Sequence, residues 1–154
     1  MILFIYITYK FILIVMKITL CNSISFIEEA KKIRKELINR GHKVFVAPYM
    51  DKDSKEIEKI LSDRENYLNN LKPCFIKEHL NNILKSDAIL VINLEKNGIK
   101  NYIGGSTFAE IIFAFYNNKK IFLLNPIPEE IKIFKDELKA VKPIIINGNL
   151  ELIK

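Results

Sequence analysis

The stretch from Ala88 to Asn93 is a near-continuous apolar run, Ala88-Ile89-Leu90-Val91-Ile92, that leaves no polar side for water. A strand of this kind must be covered on both faces, as the strands of parallel sheets are. The flanking sequence offers the covers. Phe75 to Lys85 is amphipathic at helical spacing, and Thr107 to Asn117 is strongly apolar at the same spacing.

The same alternation runs along the chain. Lys17 to Cys21 is a short apolar run, and Asn22 to Ser25 is a small polar turn. Phe26 to Arg40 then places Phe26, Ile27, Ala30, Ile33, Leu37 and Ile38 on one helical face. Gly41, able to take a left-handed conformation, closes that helix before a second strand within His42 to Pro48, centred on Val44-Phe45-Val46-Ala47. Asp51 to Pro73 is polar and charged, with Ile57, Ile60, Leu61 and Leu68 at helical offsets, and is expected as a lid or insertion over one sheet edge. After the loop Leu94 to Gly105 come a fourth strand at Ile121 to Leu124, a last full helix at Glu129 to Lys139 and a fifth strand at Ile144 to Ile146. Strands alternating with helices imply a parallel sheet with right-handed crossovers. The expected fold is α/β: an open, doubly wound, flavodoxin-like three-layer α/β/α sandwich on a five-stranded parallel sheet.

Such sheets bind ligands at the carboxyl ends of their strands, near the topological switch point. Three loops should therefore converge: Cys21 to Ser25, Asn93 to Gly105, and Asn125 to Pro128. In the second, Gly104-Gly105 lets backbone approach a ligand, Ser106 and Thr107 add hydroxyls, and the following helix offers free N–H groups to a phosphate or ribose hydroxyl. Glu110 would stand at the rim of this helix start, where a carboxylate can attack or stabilise an oxocarbenium-like sugar carbon. Thr107-Phe108-Ala109-Glu110 also matches a capping box, in which the glutamate does no chemistry. The glycine pair just before it favours a ligand site, because a cap needs no such pair.

Ser23 and Ser25 read as N-cap residues or as phosphate or sugar ligands. Cys21, Asn93 and Asn125 stand at the ends of strands facing the same crevice, with Asn125-Pro126 also reading as a turn. His79, beside Lys77 and Glu78, is either a surface group or a pocket residue. Asp87 lies at the amino end of the third strand, is assigned a turn or capping role and is excluded from the site. His42 carries no motif around it.

Composition bounds the rest. A chain of 154 residues, 49% of them hydrophobic, is one domain able to bury a core without staples. Its net charge of +6 comes from lysines dispersed among glutamates along the helices, which describes a solvated face rather than a nucleic-acid patch. The two cysteines, Cys21 and Cys74, show no paired spacing, so no metal site is expected and a reducing cytoplasm fits. Lys10 interrupts the apolar start, which has neither the length of a membrane span nor the flanks of a secretory signal. Met16-Lys17 opens a clean strand, so residues 1–15 read as an extension ahead of a domain at 16–154, with a short membrane anchor as the alternative.

Three separated segments then carry a resemblance. Ile18-Thr19-Leu20-Cys21-Asn22-Ser23-Ile24, Ser86-Asp87-Ala88-Ile89-Leu90-Val91 and Gly104-Gly105-Ser106-Thr107-Phe108-Ala109-Glu110-Ile111, with Ala114, resemble the nucleoside 2-deoxyribosyltransferase superfamily, deoxynucleoside 5′-monophosphate N-glycosidases included. The runs Lys96-Asn97-Gly98-Ile99-Lys100-Asn101-Tyr102-Ile103-Gly104-Gly105 and Leu124-Asn125-Pro126-Ile127-Pro128-Glu129 resemble an uncharacterised microbial branch of it. The resemblance implies a glutamate nucleophile at Glu110 that forms a covalent deoxyribosyl intermediate. It also implies a nucleoside or nucleotide as the small-molecule partner, no cofactor and a homo-oligomer. Four positions depart from the pattern: Thr19 stands for a tyrosine, Asn22 for a glycine, His79 for an aspartate and Gly104 for a serine or aspartate. The expectation is cleavage or exchange of an N-glycosidic bond, with Glu110 and His79 catalytic and Cys21, Ser23, Asn93, Gly104, Gly105, Ser106, Thr107 and Asn125 around the substrate. The alternative is a non-catalytic nucleotide-binding or sensing protein.

Overall fold

The computed structural model describes residues 14–154; most of the apolar extension, residues 1–13, lies outside the described residues. Five parallel strands, β1 (Lys17–Asn22), β2 (Lys43–Phe45), β3 (Ala88–Ile92), β4 (Lys120–Leu123) and β5 (Ile144–Ile145), form one sheet in the order β2-β1-β3-β4-β5. This is the flavodoxin-like order, and its reversal point falls between β1 and β3. All five residues of β3 are buried, as its run of apolar side chains requires.

The helices are α1 (Ile27–Asn39), α2 (Ser54–Ser62), α3 (Arg64–Asn66), α4 (Lys72–Lys85), α5 (Gly105–Tyr116) and α6 (Lys135–Ala140). Alternate strand residues feed two cores. Ile18, Leu20, Leu90, Ile92 and Phe122 pack with Phe26, Ala30, Ile33 and Leu37 of the α1 side, joined by Leu150 and Ile153 near the carboxyl terminus. Cys21, Ile89, Val91, Ile121 and Leu123 pack on the opposite face with Ile83 of α4, Ile111 and Ala114 of α5, and Leu138 of α6. Crossovers of one hand put α1 on one face and α4, α5 and α6 on the other once the strand order reverses.

Local chemistry explains the boundaries. Gly41 (φ 88) ends α1 in a Schellman turn, with His42 N–H donating to Leu37 O and Gly41 N–H to Ile38 O. Asp87 caps the neighbouring strand, its carboxylate accepting from Lys17 N–H at 2.8 Å. The buried His42 accepts the Met16 N–H on Nδ1 at 3.2 Å. β2 is shorter than the apolar run Val44-Phe45-Val46-Ala47 suggests, and beyond it the Val46 carbonyl accepts from Asn82 Nδ2 at 3.3 Å. The helix expected from Glu129 begins only at Lys135. Ile133 is 86% exposed, while Phe134 turns inward to stack on Phe108 with ring centroids 4.3 Å apart. With no continuous apolar face to bury, the segment before α6 has nothing to hold a helix. The lid expected over Asp51 to Pro73 is broken: α2 and α3 are followed by a π-helical turn, Tyr67–Leu71, that runs into α4, whose start at Lys72 precedes the expected Phe75. Among the described residues no helix is long and apolar enough to cross a membrane.

Candidate active site

α5 begins two residues earlier than its apolar spacing suggests. Gly104 is the N-cap, in extended conformation and with no side-chain cap bond, and the first helical bond runs from Phe108 N–H to Gly104 O at 2.9 Å. Thr107 is therefore inside the first turn and Glu110 almost a turn beyond it, so the capping-box reading of Thr107 and Glu110 is excluded. A true capping box does occur, at Asp53 and Glu56 of the lid. The first turn of α5 lines the crevice, and its N-cap makes no side-chain bond to the N–H groups there, an arrangement that suits an anion.

The glycine pair divides in its roles. A Cβ on Gly104 would meet Tyr102 Oη at 3.2 Å and Cε1 at 3.3 Å, whereas a Cβ on Gly105 meets nothing within 4 Å. Gly104 thus accommodates a tyrosine ring, and Gly105 leaves the helix end open. The loop before α5 turns back on itself at Asn97 (φ 53) and Gly98 (φ 77), closed by paired bonds between Lys96 and Ile99. Asn-Gly is the preferred pair for such a turn. This hairpin sends the Lys96 ammonium over the Tyr102 ring, 5.1 Å from its centroid, and onto Ser23 Oγ at 3.0 Å.

Between these loops and the lid lies a cleft of about 570 Å³, within the range of small-molecule sites. The β1 loop contributes Asn22 and Ser23, and the α5 end contributes Gly104, Gly105, Ser106, Thr107 and Glu110. The lid adds Arg64, Tyr67, Lys72 and Phe75, and Tyr49 follows β2. Arg64, Lys72 and Lys96 are its cations, and Glu110 is the one carboxylate among the lining residues.

At the inner end three groups meet. His79 Nε2 is 3.7 Å from Glu110 Oε2 and 3.7 Å from Cys21 Sγ. Burial pushes the Glu110 carboxyl up to about 7, partly offset by the Cys21 thiol beside it. Burial also lowers His79 to about 4, so the imidazole is neutral at pH 7 and its approach to Glu110 is not an ion pair. The Cys21 thiol is raised by burial and then by Glu110, and stays protonated. Tyr49 is raised by burial and by Glu110, and its phenol donates to Asn22 O at 3.0 Å. Glu110 Oε2 and Asn22 Oδ1 are buried acceptors with no hydrogen-bond partner among the described residues.

Two of the expected ligand residues do other work. Asn93 and Asn125 are absent from the cleft lining and spend their amides on each other's loops. Asn93 Nδ2 donates to Asn125 O and Pro126 O at 3.0 Å, Asn125 N–H donates to Asn93 Oδ1, and Asn125 Nδ2 donates to Asn93 O. Cys21 touches His79 behind the cleft wall rather than lining it. Thr19, in the position of the missing tyrosine, is fully buried against Ser86 Oγ at 2.6 Å. Among the lining residues that the sequence did not mark as site residues are Tyr49, Arg64, Tyr67, Lys72, Phe75, Lys96 and Tyr102. For those of the lid the available signal was aromatic and basic residues interleaved along it.

No protein-family model and no curated protein sequence matches the chain. Among solved structures it is similar to a 2-deoxyribosyltransferase from the psychrotolerant bacterium Bacillus psychrosaccharolyticus, at 19% identity over 70% of each chain, with a TM-score of 0.45.

Proposed function

We infer that the cleft binds a nucleoside 5′-monophosphate and breaks or exchanges its N-glycosidic bond through Glu110. The observation that carries this reading is the Glu110 carboxyl itself, half-buried, without a cap to hold and with its buried Oε2 unpartnered among the described residues, on the wall of an otherwise cationic cleft. Buried acceptors left open favour a ligand that brings donors, and sugar hydroxyls are such donors for Asn22 Oδ1 and Glu110. The α5 N-terminus, Ser23, Ser106 and Lys96 suit a phosphate, and Tyr67 and Phe75 suit the face of a base. The three-segment resemblance of the sequence agrees.

In the reaction, an ionised Glu110 oxygen bonds to the anomeric carbon as the base leaves with the electrons of the glycosidic bond. Water or a second base then takes the sugar from the carboxylate. His79 is a positioning residue in this scheme, because its neutral ring packs on Glu110 and Cys21. The site belongs to a nucleoside 2-deoxyribosyltransferase-like domain at 16–154, in a cytoplasmic setting. Phe115 and Tyr116 at the end of α5, 53% and 83% exposed, offer an apolar patch for the homo-oligomer that the resemblance implies. Chromatography of base released from a panel of nucleosides and 5′-monophosphates tests the reading.

That Glu110 is the one carboxylate among the described lining residues, with no second to protonate the departing base, favours the alternative, a nucleotide-binding protein without chemistry. Calorimetric binding of a monophosphate with no base released on long incubation would select it.

A further inference from the structure

We propose that Cys21, His79 and Glu110 form a binding site for a zinc-class divalent ion, open on its fourth side to the cleft. One donor atom from each of the three residues lies within 4.8 Å of the others. The thiol and carboxyl contacts of His79 Nε2 are both 3.7 Å. Donors held at about 2.0–2.3 Å from a tetrahedral ion sit roughly 3.4–3.6 Å apart. Two edges of the tetrahedron are therefore nearly preformed, and a shift of about an ångström by the carboxylate closes the third.

The donor set selects the metal. Thiolate and imidazole favour borderline-soft ions over magnesium or calcium, which take oxygen ligands and higher coordination numbers. Three protein ligands with one free position is the arrangement of an open rather than a closed zinc site. His79 and Glu110 both border the cleft, so that position faces water or a ligand. The three residues come from β1, α4 and α5, elements locked by the two cores, so the donors are held apart from any loop movement. The unpartnered, buried Glu110 Oε2 gains in the ion the partner that it lacks among the described residues. The cost is removal of the thiol proton, and of the carboxyl proton where Glu110 still holds it, in an apolar setting. A cation at bonding distance reverses that penalty, and the proton leaves to solvent as the S–metal bond forms. The residues lie far apart in sequence, at 21, 79 and 110, which is why no cysteine–histidine spacing announced them. In the functional reading above the ion would occupy the nucleophile, so the metal-bound protein would release no base, but the site itself does not depend on that reading.

Cobalt(II) titration of the full chain, followed by ultraviolet and visible absorption, tests the proposal without any substrate. The expected result is one equivalent bound, with a thiolate-to-cobalt charge-transfer band and intense tetrahedral d–d bands, both removed by zinc. The Cys74→Ser protein should behave as the parent. Cys21→Ser should lose the charge-transfer band, and His79→Ala should bind more than about tenfold more weakly. Glu110→Gln should keep the charge-transfer band and shift the d–d bands. Absence of the band from the parent at tenfold excess of cobalt would overturn the proposal even if Cys21→Ser fails to fold, and so would a band that Cys74→Ser abolishes.

Discussion

Glu110 is the residue at which function and stability conflict. Its carboxyl rises from an ordinary 4.5 to about 7 in the folded protein, so the fold binds that proton more tightly than the unfolded chain does. The associated stability is complete below pH 4.5 and lost as the pH climbs through about 7. The difference corresponds to roughly 3 kcal/mol. Glu110→Gln should accordingly melt higher than the parent at pH 8 and alike at pH 4, which paired thermal melts would show. If Glu110 attacks as the carboxylate, base release should rise with pH and level off above about 7. Asn93 is a residue of the opposite kind, fully buried and devoted to the loops after β3 and β4. Asn93→Ala forfeits four side-chain hydrogen bonds at once, one of them long at 3.5 Å, and should cost roughly 2–4 kcal/mol in urea unfolding.

Among the elements, α5 separates a structural glycine from a permissive one. Gly105→Ala adds a methyl in open space within a helical turn and should stabilise by about 0.5–1 kcal/mol. Gly104→Ala should instead press on the Tyr102 ring, disturb the Lys96 ammonium above it and weaken phosphate affinity, as calorimetry would record. The periodicity of the sequence revealed five strands and their covering helices, because burial of an alternating chain is a local pattern. It misplaced the start of α5, since Thr107 and Glu110 satisfy a cap motif that only backbone geometry can refuse. It overextended α6, which begins only at Lys135, because Phe134 turns inward to stack on Phe108 while Ile133 is left exposed. The Ser23, Gly104 and Ser106 side of the cleft was visible as loops at strand ends. The lid side, with Arg64, Lys72 and Tyr67, and the meeting of Cys21, His79 and Glu110 arise from packing between distant segments and left no motif.

For the whole molecule, the dispersed positive charge becomes directional only at the cleft, where Arg64, Lys72 and Lys96 outnumber a single carboxylate. Lys96→Ala should weaken a nucleoside 5′-monophosphate by about ten- to a hundredfold, the range of a charge-assisted hydrogen bond, and leave the unphosphorylated nucleoside nearly unchanged. The fold places the reversal of strand order, the amino end of α5 and the Glu110 carboxyl around one cleft, and the central proposal is that this carboxyl is the nucleophile. Chromatography of base released from deoxynucleoside 5′-monophosphates by the parent and by Glu110→Gln measures it directly. Release by the parent, with release at the uncatalysed rate by a folded Glu110→Gln, is the expected result; equal release by both, or binding without release by the parent, would rule out Glu110 as the nucleophile.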